Sequence, residues 1–507
     1  MGGVSVARGQ SGSMSPVMTL GGAAARRLGV WLTALLLLAG CTLGPDYRRP
    51  EVPAPVAWRD GQTSADYASL GALSWWELFD DDELRGLVQA ALEANKDLRI
   101  AVTRVDQARA LLGVTRAAQF PQVDAGASAT TNRFSDTVPP RNQGGTTGLY
   151  STTIDMAFEL DVWGRLRRAS EAARADLLGS EEARYAVVMT LVSDVATAYL
   201  RLRQLDLELE TTRRSVASRR GSLDLVRERF EAGLTTALDL RQAEAELAST
   251  AAEIPERERQ IVQTENLLSI LLGRNPGPIG RGRPLTGQTS PPSVPAGLPS
   301  TLLERRPDIR QMEQVLVAAN ARIGVAKAAF FPQIFLTGFF GVESASLSDL
   351  FTGPSRIWQF GPTVTLPIFN AGRNRANLQL TEARQQEALI RYEQTIQQAF
   401  REVEDALVTH RKAREALAEQ EAAVRASREA LGIAEFRYTS GLTTYLNVLD
   451  TQRTLLTAEV AESRTLLVQL VAVVQLYRAL GGGWDTAQGT TLRRGPEAPV
   501  ARVAERT

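Results

Sequence analysis

The chain has 507 residues, 44% of them hydrophobic, with 57 basic and 57 acidic side chains, enough for two or three ordinary domains or one large repeated architecture. Balanced charge leaves no electrostatic footprint for nucleic acid. Cys41 is the only cysteine and His410 the only histidine, which excludes catalytic Cys/His pairs and Cys/His metal clusters; with no phosphate loop or nucleophile constellation either, the sequence predicts no enzyme, metal or cofactor.

In chain order, Arg26 and Arg27 precede the apolar stretch VWLTALLLLAG, too short to span a bilayer and of the length of a signal-peptide core. It ends in Leu38-Ala39-Gly40-Cys41, a lipobox pattern. Residues 1–40 are therefore predicted to be a cleaved signal peptide, and Cys41 to carry diacylglycerol and an N-acyl (palmitate) chain. A secretory signal with an incidental cysteine is the plainer alternative. Cleavage leaves 54 basic against 57 acidic residues, a slight negative excess. Thr42, in place of an aspartate after the lipid-bearing residue, favours delivery to the outer membrane. The Pro-rich run 42–56 reads as an extended tether, part of an anchor and belt segment 41–83 in which Trp75 and Trp76 are packing anchors.

Two nearly identical heptapeptides follow, AAQFPQV at 117–123 and AAFFPQI at 328–334. Each reads as a helix ended by proline and handed over to a strand. At the same spacing of 211, Asp97-Leu98-Arg99 matches Asp308-Ile309-Arg310; at 208, Gly233-Leu234-Thr235-Thr236 matches Gly441-Leu442-Thr443-Thr444. The chain is thus an internal two-fold repeat: a first copy over 84–272, a Gly/Pro-rich loop over 273–303, a second copy over 304–481 and a tail over 482–507. Each copy orders helix, strand, strand, long helix, shorter helix.

The long helices carry a seam of residues seven apart, apolar except for His410: Val188, Val195, Leu202, Leu209, Val216, Leu223 and Phe230 in the first copy; Leu389, Ile396, Val403, His410, Leu417, Val424 and Leu431 in the second. That repeat implies helices wound side by side as in a coiled coil. Ala399, Ala406 and Ala413 form a small-residue track beside it. Residues 166–231 and 374–438 would each extend roughly 100 Å at about 1.5 Å per residue. The shorter segments 84–118 and 235–272, and likewise 304–330 and 443–480, sum to a similar length, so one long helix is expected to face two short ones laid end to end, with a belt at the joints. His410 is read as a packing residue in its seam.

Residues 151–163 alternate with period two, Ile154, Met156, Phe158, Leu160 and Val162 against Asp155, Ala157, Glu159 and Asp161. A half-buried strand of a soluble sheet would also alternate. Tyr150 and Trp163 bracket the run, however, and its tilted length matches a hydrocarbon thickness of about 30 Å. Trp358, Phe360, Val364, Leu366 and Ile368 alternate similarly, and weaker strands lie near 122–133 and 333–343. Four membrane strands cannot close, and an open edge in lipid leaves backbone groups unpaired. Several subunits must share one barrel, eight strands from a dimer or twelve from a trimer.

The lipobox, the twin FPQ junctions, ERRPDIRQMEQVLVAANARIGVAKAAFFPQIFLTG, GPTVTLPIFNAGRNRA and RYTSGLTTYLNVLDTQRTLLTA together resemble the TolC-like outer membrane factors, in particular the lipoprotein branch serving resistance-nodulation-division (RND) efflux pumps. The resemblance covers the whole mature chain. It implies a mixed α and β fold: a homotrimer with a 12-stranded β-barrel, four strands per subunit, continuous with a periplasmic α-helical barrel and a mixed equatorial belt. The implied partners are a periplasmic adaptor, an inner-membrane RND transporter and outer membrane lipids. The resemblance, not the periodicity, selects the trimer.

Each GLTT reads as a tight helical hairpin, with Gly233 and Gly441 as C-terminal caps and Thr235 and Thr443 in the turns; by resemblance these tips dock the adaptor. Asp450 and Arg453 match the family's periplasmic gate, whereas their first-copy counterparts are Gln242 and Ala245. The plainer reading of Asp450 and Arg453 is an exposed i to i+3 ion pair. Asp155, Glu159 and Asp161 are expected to keep the lumen wet. The rival functions are the outer membrane duct of a type I protein secretion system and a periplasmic adaptor lipoprotein. An adaptor would need β-rich domains around a single helical hairpin and would not repeat FPQ.

Overall fold

A computed structural model describes residues 42–53, 55, 58–59, 80–135, 145–288 and 302–482. The signal peptide 1–40, Cys41, Trp75, Trp76 and all but the first residue of the tail 482–507 lie outside the described residues. The elements are α1 (Asp82–Ala94), α2 (Lys96–Ala117), β1 (Gln122–Phe134), β2 (Gly145–Leu160), α3 (Arg165–Glu231), α4 (Ala237–Leu271), α5 (Pro307–Ala328), β3 (Gln333–Ser344), β4 (Arg356–Thr365), α6 (Arg373–Thr439) and α7 (Tyr445–Ala479), with a single helical turn, Leu302–Arg305, before α5. The described residues divide into two compact units, one comprising those up to Pro45, within Ala118–Ala169 and within Gly324–Ala376, the other comprising the rest.

The first unit is built on a four-stranded antiparallel meander in the order β1-β2-β3-β4. Its register sorts side chains by face, because directly paired residues project to the same side. One row across the sheet is Ala125, Ile154, Phe340, Trp358; the next is Val123, Met156, Gly338, Phe360. Adjacent rows on the other face run Asp124, Asp155, Phe339, Gln359 and Gln122, Ala157, Thr337, Gly361. Over these two rows one face is apolar, and it is bare: Ile154 is 55% exposed, Phe340 60% and Trp358 75%; the next row on that face carries Thr152 and Arg356. Both FPQ junctions form as read. At the second, the amides of Phe330 and Phe331 donate to Lys327 O and Ala328 O, and the strand starts straight after Pro332. Trp163 packs against Phe331 at 4.9 Å between ring centroids and donates its indole N–H to Pro332 O at 2.7 Å.

Two sequence expectations change here. The second strand ends at Leu160, so Asp161 and Val162 are not strand residues. Leu366 and Ile368 likewise lie beyond β4. Nor is the run after Cys41 a free tether. The Leu43 amide donates to Trp163 O at 3.1 Å, and Thr42 packs so closely on Gly164, at φ +74°, that a Cβ there would clash. In the second unit the same run is held by Tyr47 and Arg49, both bonded to Glu313, and Trp58, 2% exposed, packs against Phe400.

The second unit is helical, and the seven-residue seam explains its core. Val188, Val195, Leu202, Val216 and Leu223 of α3, and Ile396, Val403, His410 and Val424 of α6, are buried; Phe230, at the end of α3, is exposed. Ala399, Ala406 and Ala413 are buried beside them. α3 contains a window apolar enough to cross a membrane, but 61% of it is buried within the protein, as a core helix requires.

The short helices are interrupted at matched positions. A break at Asn95 separates α1 from α2, and one at Arg306 precedes α5. Into each break runs the end of a returning helix. Asn95 Nδ2 donates to Leu271 O at 2.8 Å while its own Oδ1 caps Leu98 N, and Arg306 Nη1 donates to Ala479 O at 3.0 Å. Gly273 (φ +70°) and Gly481 (φ +75°) terminate α4 and α7 at these joints with left-handed backbone. Two short helices therefore do meet end to end. The described part of the inter-repeat loop, 273–288, packs beside the first joint through Ile279 and Leu285. It is pinned by Asp81, whose carboxylate accepts from Tyr199 Oη, Arg283 N and Gln288 Nε2.

Candidate gating site

Both hairpin tips turn on a left-handed glycine. Gly233 N donates to Phe230 O and Leu234 N to Arg229 O; Gly441 N donates to Tyr438 O and Leu442 N to Arg437 O. These paired bonds use carbonyls that a helix end leaves free, and only glycine takes φ of +70° and +72° without strain. The return differs. Thr236 and Asp239 form a reciprocal capping box at the start of α4, and the Thr235 hydroxyl adds a 2.7 Å bond to Asp239. Thr444, at the start of α7, makes no side-chain cap bond, and Asn447 turns its amide to the Thr443 hydroxyl instead.

Below the tips the hairpins are packed through Leu223, Val226, Ala243, Ala434, Tyr438, Tyr445, Val448 and Leu449. Arg229 Nη1 donates to Tyr438 O at 2.8 Å and its guanidinium stacks over the Tyr438 ring. Two turns into α7, Gln452 Nε2 donates to Ser222 Oγ at 2.9 Å.

The sequence-derived pair Asp450 and Arg453 does not form. Arg453 turns away to Glu246 of α4, donating from Nε at 2.8 Å and also from Nη2. Asp450 is exposed and makes no ion pair among the described residues. The physical reason lies in burial. Glu246 is seated at a helix seam with its side chain 8% exposed, where a carboxylate needs charged partners, and a second cation, Arg219 of α3 at 3% exposure, lies 3.0 Å from its other oxygen. Burial pushes the Arg219 guanidinium below its usual pKa, whereas the hydrogen bond to Glu246 raises that of Arg453. Glu246 lies one residue beyond Ala245, the first-copy counterpart of Arg453. The available signal was a carboxylate on the buried face Ala243, Glu246, Thr250 of α4, where an apolar residue is the ordinary choice.

The three acidic residues assigned to the lumen separate. Asp155 is exposed on the sheet and accepts from Thr153 at 2.7 Å. Glu159 is clamped by Arg165 through Nε at 2.8 Å and Nη2 at 2.5 Å. Asp161, beyond the strand, accepts the Leu166 and Arg167 amides at 2.9 Å each, holding the start of α3 where free N–H groups attract a carboxylate. Asp161 is thus a helix-terminus residue rather than a strand lining. Among the described residues no cluster of three or more His, Cys, Asp or Glu could hold a metal.

The family model of outer membrane efflux proteins matches residues 87–274 and 298–482. The chain is 40% identical over 478 residues to outer membrane protein OprJ of Pseudomonas aeruginosa, covering 92% of this chain and 97% of that one. It is 40% identical over 461 residues to the toluene efflux pump outer membrane protein TtgI of Pseudomonas putida, covering 90% and 98%. Among solved structures, the outer-membrane channel OprN superposes with a TM-score of 0.81 at 33% identity, covering 88% of this chain and all of that one.

Proposed function

The chain belongs to the outer membrane efflux protein family, and from that premise we propose that it is the outer membrane duct of a tripartite efflux pump. It passively conducts what a periplasmic adaptor and an inner-membrane RND transporter deliver. The observation that carries this reading is the sheet, with bare apolar rows on one face and, among the described residues, no strand paired to the outer edges of β1 and β4. In lipid each unpaired backbone group costs several kcal/mol, so the sheet must meet copies of itself, β4 of one against β1 of the next. Three copies give twelve strands, within the range of known barrels. Efflux is preferred to protein secretion because the matching family model is that of efflux proteins and the relative TtgI is named for a toluene efflux pump.

Three further assignments belong to this reading. Cys41 is lipidated, and the docking of Thr42 against Gly164 keeps its acyl chains close to the strand-to-helix junction. The tips at Gly233, Thr235, Gly441 and Thr443 receive the adaptor; exposed Leu234, Leu238, Leu442 and Leu446 surround them. Asp450 and Arg453 form the periplasmic gate, with Arg453 held back by Glu246 while the duct is shut. Purified lipidated protein should have the mass of three subunits and conduct in planar bilayers, and the double variant Asp450→Ala, Arg453→Ala should conduct more than the parent. A water-soluble monomer with no pore activity would overturn the duct; an unchanged conductance would overturn the gate alone.

A further inference from the structure

A second buried carboxylate repeats the Glu246 arrangement farther from the tips. Glu208 of α3 has a side chain only 1% exposed. Arg257 of α4 lies beside it, Nε 3.0 Å from Oε2, and Arg464 of α7 donates from Nε to Oε1 at 2.8 Å. Gln204 of α3 donates to Glu208 and also reaches Ser463 of α7 at 3.4 Å. The parallel is close in three respects. Each carboxylate sits on the α3–α4 hairpin and holds one well-buried arginine from that same hairpin, Arg219 at 3% exposure or Arg257 at 14%. Each also takes one mostly exposed arginine from α7, Arg453 at 58% or Arg464 at 55%. And each α7 arginine follows a polar residue that reaches α3, Gln452 to Ser222 and Ser463 to Gln204. The two α7 pairs are eleven residues apart, about three turns, so they occupy one face of the helix roughly 16 Å apart.

This design suits a contact that must break. A buried carboxylate stripped of its partner is strongly destabilising, yet here the departure of α7 would leave each glutamate facing its own hairpin's arginine. We propose that Glu208 with Arg464 is a second latch, in series with Glu246 and Arg453, and that α7 swings free only when both let go. The inference rests on reading Arg453 as the gate. Releasing the tip-proximal latch alone frees the end of α7 and gives a partial opening; releasing both gives the full one. Pro255, two residues before Arg257, has no N–H to donate to the α4 ladder, which is therefore one hydrogen bond short at the level of the second latch.

The test uses full-length lipidated protein in planar bilayers with Arg453→Ala, Arg464→Ala and the double variant, each checked for an unchanged thermal transition. Arg453→Ala is expected to show an intermediate conductance level and the double variant a level about several-fold above the parent's. Arg464→Lys, which retains the charge, should behave more like the parent than Arg464→Ala does. If the double variant merely equals Arg453→Ala, the second latch is overturned while the gate stands. If none of the three exceeds the parent, the gate reading falls and the latch with it.

Discussion

The α3–α4 hairpin and the α6–α7 hairpin share a sequence pattern and a backbone plan, yet they are built for different duties. The first is the seat. It carries the buried polar residues Gln204, Glu208, Thr211, Thr212, Arg219 and Glu246, and its return is locked by the Thr236 and Asp239 capping box. The second supplies the arginines that plug into that seat, and its return at Thr444 lacks a side-chain cap bond. Even the seam differs: fully buried Leu202 in α3 corresponds to His410 in α6, whose Nε2 has no hydrogen-bond partner among the described residues. Duplication supplied two similar hairpins, and a handful of polar substitutions set them apart: one holds the buried carboxylates, the other, the arm, supplies arginines that reach them.

The sharpest way to break this comparison is to remove a seat residue and an arm residue in turn. Glu246→Ala should cost about 3–5 kcal/mol, because it strands the buried Arg219. Arg453→Ala should cost less than about 1 kcal/mol, since that side chain is largely in solvent and Glu246 keeps Arg219. Chemical denaturation followed by circular dichroism reads both, and equal losses would refute the division into seat and arm.

The joints are the next test. A Cβ on Gly273 would overlap the Ala94 carbonyl, whereas one on Gly481 would sit 3.2 Å from the Arg305 backbone. Gly273→Ala should therefore lose more than about 2 kcal/mol and Gly481→Ala about 1–2 kcal/mol, the second mostly from left-handed strain. The denaturation midpoints of the two variants decide the order.

At the tips, Thr236→Ala should lose about 1 kcal/mol and Thr444→Ala close to nothing. Asn447→Asp should install the missing box and slow amide hydrogen exchange at the start of α7. Exchange rates that respond equally to both threonine variants would erase the asymmetry.

The smallest effect concerns His410. Burial, reinforced by Arg414, holds its imidazole below the usual pKa of 6.5. Its stability contribution is therefore complete above pH 6.5 and declines as pH falls toward the folded-state value, because the unfolded chain takes up the proton first. His410→Leu, which copies the first hairpin, should flatten that decline by a few tenths of a kcal/mol to about 1 kcal/mol. Thermal midpoints at pH 7.5 and 5.5 would show it, and a parent protein with no slope would refute it.

Much of this protein was legible in its sequence because the governing forces are local or periodic. Alternation over residues 151–160 specified a strand with one lipid-compatible face, the seven-residue seam specified paired helices, and Gly-Leu-Thr-Thr specified hairpin turns, since glycine alone tolerates the required backbone. The requirement for partner subunits follows from the same source, because four strands cannot satisfy their own edges. What tertiary structure alone decided was where the charges go. Arg453 pairs with Glu246 from 207 residues away rather than with Asp450 three residues away, Asp161 serves a helix end instead of a strand, and the run after Cys41 docks instead of dangling. A long flexible side chain near several candidate partners is settled by which carboxylate is most buried, and burial is a property of packed helices that no stretch of sequence contains.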